Sequence, residues 1–250
     1  MSKINHYCQI LTTTPVSNWD WFLRQESGLP GPRANLELAQ AVADTGTAAL
    51  FERYLTFGPE QAPTNSPDVF LAVCGVVGLG RLLAQGQMEK LAVLRQLAAD
   101  PRWRIREAVC MALQRWGYVD MPALVAAMHT WSRGSLLEQR AAAAALCEPA
   151  LLTYPAHTRQ VLGILDEITT RLGATKNRKT DEFKTLRKGM AYCWSVAVAA
   201  LPDEGCTMMQ KWFASPDKDI RWLMKENLKK KRLARLDPTW LAQARQQLAG

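Results

Sequence analysis

The stretch DPRWRIREAVCMALQRWG, residues 100–117, limits what this chain can fold into more than any other. Its spacing predicts a helix over 101–116. Asp100 is a residue type that caps free backbone N–H groups, and Pro101 sits where its missing N–H costs nothing. Ile105, Ala108, Val109, Ala112 and Trp116 then share one face at helical spacing, and Gly117 supplies the stop. The pattern returns 115 positions later in SPDKDIRWLMKENL, with Ile220-Arg221 on Ile105-Arg106 and Leu228 on Leu113. A shift of 34 places Leu71 on Ile105, Gly78 on Ala112 and Arg106 on Arg140, and also Arg187 on Arg221. A step of 34 to 37 residues carrying two helices each is that of an α-solenoid.

Strand patterns are absent throughout, so the class is all-α. A short helix is predicted from Ser17, with Asp20 at the third position of an imperfect capping box, and two more over 34–43 and 47–57. The segment GPEQAPTNSP, with three prolines in ten residues, reads as a linker. The division is therefore an N-terminal helical segment 1–57, a Pro-rich linker 58–67 and a repeat array 68–250. Within the array the spacing predicts helices over 68–84, 87–99, 101–116, 121–132, 135–147, 157–172, 181–200, 203–213, 217–232 and 238–249. The step from Arg140 to Arg187 is 47, and the extra residues fall in longer helices and the loop GATKNRKTD.

Here the residues carry a resemblance. The unit D-P-x-W-x-I-R-x-A-x-x-x-A-L at 100–113 resembles the second helix of a HEAT repeat. That resemblance implies a right-handed α-solenoid of about five HEAT-like, armadillo-like helix pairs. It also implies a ladder of Asp–Arg pairs between neighbouring repeats, for which Asp100, Arg106, Asp217 and Arg221 are the matching positions. A narrower resemblance, at KWFASPDKDIRWLMKENL (211–228), is to the DNA alkylation repeat family of HEAT-like DNA glycosylases and their non-catalytic relatives. Trp212, Ser215, Trp222 and Lys225 match its pattern, with Lys225 in place of an arginine. The family's Trp–Asp catalytic motif is missing from the expected place.

Net charge is +8, and residues 174–235 hold 15 Lys/Arg against 7 Asp/Glu, which accounts for all of it. Arg221, Lys225, Lys229 and Arg232 fall at i, i+4, i+8 and i+11, one cationic stripe if 217–232 is a single helix. Lys176, Arg178 and Lys179 add a second basic cluster in a loop. With Trp222 beside the stripe, these eight residues are the candidate binding site for nucleic acid or an acidic protein. Asp219 and Glu226 flank Trp222 on the same side and are the carboxylates a glycosylase would need.

The remaining signals read as structure. Cys74, Cys110 and Cys147 recur at about the repeat length as small core residues, and His6, His129 and His157 have no second ligand at i+3 or i+4. Neither a metal nor a cofactor is expected. Trp116, Trp194 and Trp212 read as core, and Trp103 and Trp222 read as gap fillers more than as stacking platforms. The run GVVGLG at 75–80 lacks the strand, the lysine and the spacing of a phosphate loop, and close helix approach explains it better. The longest apolar run is too short to span a bilayer and no secretory leader is evident, so a cytoplasmic, non-membrane protein is expected. The leading function is a non-catalytic binding scaffold using a basic C-terminal concave face. The alternatives are a DNA glycosylase for alkylated bases and a neutral protein–protein adaptor.

Overall fold

Short polar side chains start many of the helices by accepting from the exposed N–H groups of the first turn. Asn35, Thr47, Asp120, Ser135, Thr180 and Asp217 each cap in this way, and Ser135 with Glu138 forms a reciprocal capping box. The computed structural model describes residues 2–249. Among them are fifteen α-helices and no strand. Their contacts divide the chain into two compact units, Met1–Val119 and Asp120–Gly250.

The first unit holds α1 (Lys3–Thr13), α2 (Trp19–Gln25), α3 (Leu36–Thr45), α4 (Ala48–Leu55), α5 (Asp68–Ala84), α6 (Lys90–Leu97) and α7 (Trp103–Gly117). Helices α1, α3, α5 and α7 pack each against the next, with α4 on α5 and α6 on α5 and α7. Helix α5 is the centre: 14 of its 17 residues are buried, so it reads as apolar all round. Its glycines set how closely the neighbours approach. A Cβ on Gly75 would lie 2.9 Å from the Phe51 carbonyl oxygen, one on Gly78 would meet the Phe51 ring, and one on Gly80 would lie 2.6 Å from Ala112 Cα. The run GVVGLG is thus a helix–helix contact.

Helix α7 starts two residues later than its sequence suggests. Asp100 accepts from the Arg102 backbone N–H and side chain instead of capping the first turn. Arg102 and Arg104 are both buried, because their guanidiniums satisfy backbone carbonyls that would otherwise be stranded. Arg102 donates to the carbonyls of Phe57 at 2.8 Å and Ala62 at 3.3 Å. Arg104 donates to those of Thr64 at 2.8 Å and Gly31 at 2.6 Å. Residues 58–67 are therefore tied into the first unit by α7. Helix α1 escaped the sequence reading, being short and weakly apolar, with one buried residue, Leu11. The helix read from Ser17 begins as a 3-10 turn over Val16–Asn18, and Asp20 holds Arg53 and Tyr54 instead of closing a capping box.

The second unit holds α8 (Met121–Trp131), α9 (Leu136–Leu146), α10 (Pro155–Ala174), α11 (Asp181–Ala200), α12 (Pro202–Gln210), α13 (Lys218–Leu228), α14 (Lys231–Leu236) and α15 (Pro238–Ala249). It is a two-row helical stack. Helices α9, α11, α13 and α15 follow one another in one row, α8, α10 and α12 in the other, with α8 on α9 and α10 on α11 across them. This is the layered pairing of an α-solenoid. Helix α11 is its centre, with Trp194 and Phe183 fully buried. The Trp194 ring N–H is satisfied by Thr169 Oγ1 at 3.0 Å, and Asn227 bridges α13 to α11 through Ser195 N–H and the Met190 carbonyl, each at 2.9 Å. Cys74, Cys110 and Cys147 are buried free thiols, and burial pushes the Cys74 and Cys147 thiols up. Trp212 is half-buried, not core; its ring N–H reaches Asp166 at 2.9 Å.

Candidate binding surface of the second unit

The eight basic and aromatic residues expected to form one surface meet very different fates. The single helix over 217–232 does not exist. Helix α13 ends at Leu228, Lys230 is extended, and α14 restarts at Lys231. Leu228 closes α13 and Leu233 lies in α14, and both are buried, so apolar contacts continue on each side of the break. Arg232 therefore leaves the stripe. It stands over the ring of Tyr192, guanidinium carbon 4.6 Å from the centroid, and also donates to the Tyr192 hydroxyl.

Arg178 is consumed by structure. It donates to both Asp217 carboxylate oxygens, to Asp219 at 3.0 Å, to the Gly173 carbonyl at 2.6 Å and to that of Thr175 at 3.0 Å. The loop between α10 and α11 is pinned by that one side chain, which leaves Lys176 and Lys179 as its exposed cations. The Arg178 guanidinium in turn holds the Asp217 carboxyl below the usual carboxylate range, against the opposing effect of burial. Arg221 is likewise spent, donating to the carbonyl of Leu248 at 2.7 Å and reaching that of Phe213 at 3.5 Å.

Asp219 is buried and clamped between Arg178 and Arg187, the latter lying on the neighbouring helix α11. The pair of Asp219 with Arg187 joins two neighbouring helices, and Asp217 meets Arg178 from the loop before α11. Asp100 holds Arg102, and Arg106 donates to the carbonyls of Asp100 and Pro101. Arg187 also covers one face of half-buried Trp222, its guanidinium carbon 4.3 Å from the ring centroid. Glu226 pairs with Lys229 one turn on. Neither candidate catalytic carboxylate stands uncommitted.

What remains as a surface centres on Lys225. It is exposed and forms no ion pair among the described residues. With Leu228, Lys229, Arg245 and Leu248 it lines a notch of about 230 Å³ between α13 and α15. Three of the five lining residues are cations and none is a carboxylate. Arg245 holds its place by donating to the Leu228 carbonyl at 2.8 Å. Sequence reasoning missed Arg245, a lone cation in QARQQL; only its register against the α13 stripe could have marked it. It also missed Tyr192, 42% exposed with Lys230 and Arg232 over its ring. Among the described residues no three His, Cys, Asp or Glu side chains converge as metal ligands would. None of the described helices is long and apolar enough to cross a membrane.

No family model matches the chain, and no curated protein matches it. Among solved structures it is similar to two engineered proteins, one at 16% identity over 94% of this chain and 98% of that one with a TM-score of 0.38. The other is 14% identical over 92% and 98%, with a TM-score of 0.40. A designed armadillo repeat protein is 14% identical over 83% and 98%, with a TM-score of 0.33.

Proposed function

We propose that this helical-repeat protein is a non-catalytic binding scaffold that takes an acidic partner, nucleic acid or acidic protein, on the surface of its second unit. The observation that carries the reading is the notch at Lys225, Lys229 and Arg245, where three cations converge without a carboxylate among the lining residues. Lys176, Lys179, Trp222 and Arg232 belong to the same basic region, while Arg178 and Arg221 hold the backbone under it. The resemblances to HEAT repeats and to the DNA alkylation repeat fit a scaffold equally well. The glycosylase alternative is disfavoured by chemistry. A carboxylate that stabilises a developing cation must be free to face it, and Asp219 already faces two guanidiniums.

The test is anisotropy of labelled duplex DNA and of labelled poly-glutamate against the whole chain over a salt series. Contact with about four phosphates predicts a log–log slope near about −3.6 on duplex DNA. Lys225→Gln with Lys229→Gln should flatten the slope on whichever anion binds. If neither anion is retained at low salt, the neutral-adaptor reading takes over.

A further inference from the structure

We propose that the notch between α13 and α15 is a receptor for an acidic-apolar peptide, taking a carboxylate carried next to an aliphatic or aromatic side chain. This rests on the reading of the surface as the one that takes an acidic partner, and names that partner's chemistry. Two observations separate such a peptide from a nucleic-acid strand. The first is the make of the notch. Leu228 and Leu248 line it beside Lys225, Lys229 and Arg245, and because both leucines are nearly covered already, most of the apolar surface it offers is side-chain stem. Lysine stems add methylene surface beneath their charged heads. A phosphodiester brings charge to such a site but nothing that gains from covering those stems. A peptide segment with an apolar side chain beside a carboxylate gains from both halves.

The second observation is that the broader cationic track is interrupted. Arg178, Arg187 and Arg221 are engaged by Asp217, Asp219 and backbone carbonyls, and Arg232 lies on Tyr192. A polymer that binds by counterion release needs a run of free cations along its path. The notch instead gathers three at one point, of which Lys225 and Arg245 form no ion pair among the described residues and Lys229 is shared with Glu226, which suits a discrete anion. Glu226 already illustrates the recognition, with its carboxylate 2.5 Å from Lys229 Nζ. Arg245 is exposed yet fixed by the Leu228 carbonyl, so its remaining N–H donors are oriented before a ligand arrives. The volume, about 230 Å³, is below the ~300 Å³ at which drug-sized pockets begin and suits a single side chain with its charged neighbour.

The experiment uses the full chain and three labelled probes: a short peptide alternating Asp and Leu, its control alternating Asp and Gly, and oligothymidine. The Asp/Leu peptide should bind about tenfold more tightly than the Asp/Gly control, a difference of one decade in Kd. Arg245→Gln should weaken binding of both peptides, as should Lys225→Met, which loses the charge but keeps the stem and so leaves the Asp/Leu advantage in place; unchanged helical circular dichroism reports that each variant is folded. Equal binding of the two peptides would overturn the proposal and leave the acidic-partner reading standing. Oligothymidine binding more tightly than Asp/Leu, and lost in Arg245→Gln, would assign the notch to phosphate and overturn it too. Failure of all three probes to bind would remove the underlying reading, and the proposal with it.

Discussion

Among the described residues the first unit buries two arginines, Arg102 and Arg104, and the second buries none. In the first, Arg81, Arg102 and Arg104 are spent on backbone carbonyls: Arg81 on those of Ala43, Asp44 and Gly46, the other two on the segment before α5. Around α5 these guanidiniums are internal bolts, because loops packed close to a fully apolar helix leave carbonyls that nothing else can satisfy. In the second unit the arginines stay part-exposed: Arg178, Arg187 and Arg159 meet carboxylates, Arg221 and Arg245 meet carbonyls, Arg232 meets a tyrosine, and lysines are left over at the surface. The lesson is that a cation count says little about a binding face until the structural arginines are removed from it. Of the seven cations expected to form the site, Arg178 and Arg221 are structural, Lys229 is shared with Glu226 and Arg232 is on Tyr192. Lys225 keeps its expected freedom, and Lys176 and Lys179 keep it in the pinned loop.

Substitutions can break this comparison, beginning with the first unit. Gly80→Val would drive a side chain into the Ala112 backbone, which cannot give as a flexible tip would. Overpacking typically costs about 1–3 kcal/mol, and a clash with backbone puts this one at the upper end. Hydrogen exchange should show protection lost in α5 and α7 and largely kept in α11. Uniform loss in both units would contradict the division into two.

Asp219→Ala comes next. It strands two guanidiniums around a buried site, and breaking such a pair costs about 3 kcal/mol, reduced here because Arg178 and Arg187 are each about a quarter exposed. Chemical denaturation should show the loss, with the α10–α11 loop becoming open to protease. If stability is unchanged, the clamp is ornamental and Asp219 returns as a functional candidate.

Arg104→Met tests the bolt. Losing charge-assisted bonds to the Thr64 and Gly31 carbonyls should cost about 2 kcal/mol and make residues 58–67 the first site of limited proteolysis. Arg232→Met in the second unit should cost far less, about 0.5 kcal/mol, since its partner Tyr192 is exposed. Equal effects would erase the contrast between the units.

Acid sharpens it further. Asp217 is held below the ordinary carboxylate range by Arg178, and Asp20 in the first unit by Arg53. A depressed folded-state value means the stabilisation is present above the unfolded value, about 3.9, and lost as pH falls through the folded one. The melting temperature should therefore fall below about pH 4, and Asp217→Asn should flatten part of that fall. Smallest of all is Lys225→Gln, expected within about 0.5 kcal/mol of wild type because the side chain is exposed and unpaired. Binding to acidic probes should fall all the same.

Local pattern determined much of this molecule. The face of α7 carrying Ile105, Ala108, Val109, Ala112 and Trp116 is buried as its spacing demands, and Gly75, Gly78 and Gly80 mark a close packing of helices. Those features are written within a few turns of one helix, where periodicity acts directly. The break at Lys229–Lys230 was not legible, because four consecutive cations carry no apolar periodicity to mark where a helix ends. What only the tertiary structure decided is which charges are free. Arg178 and Asp217 are 39 residues apart in sequence, Arg221 and the Leu248 carbonyl 27, and Lys225 meets Arg245 at one notch only because α15 packs on α13. A guanidinium bonds whatever acceptor the fold brings within 3 Å, and its own sequence neighbours do not name that acceptor.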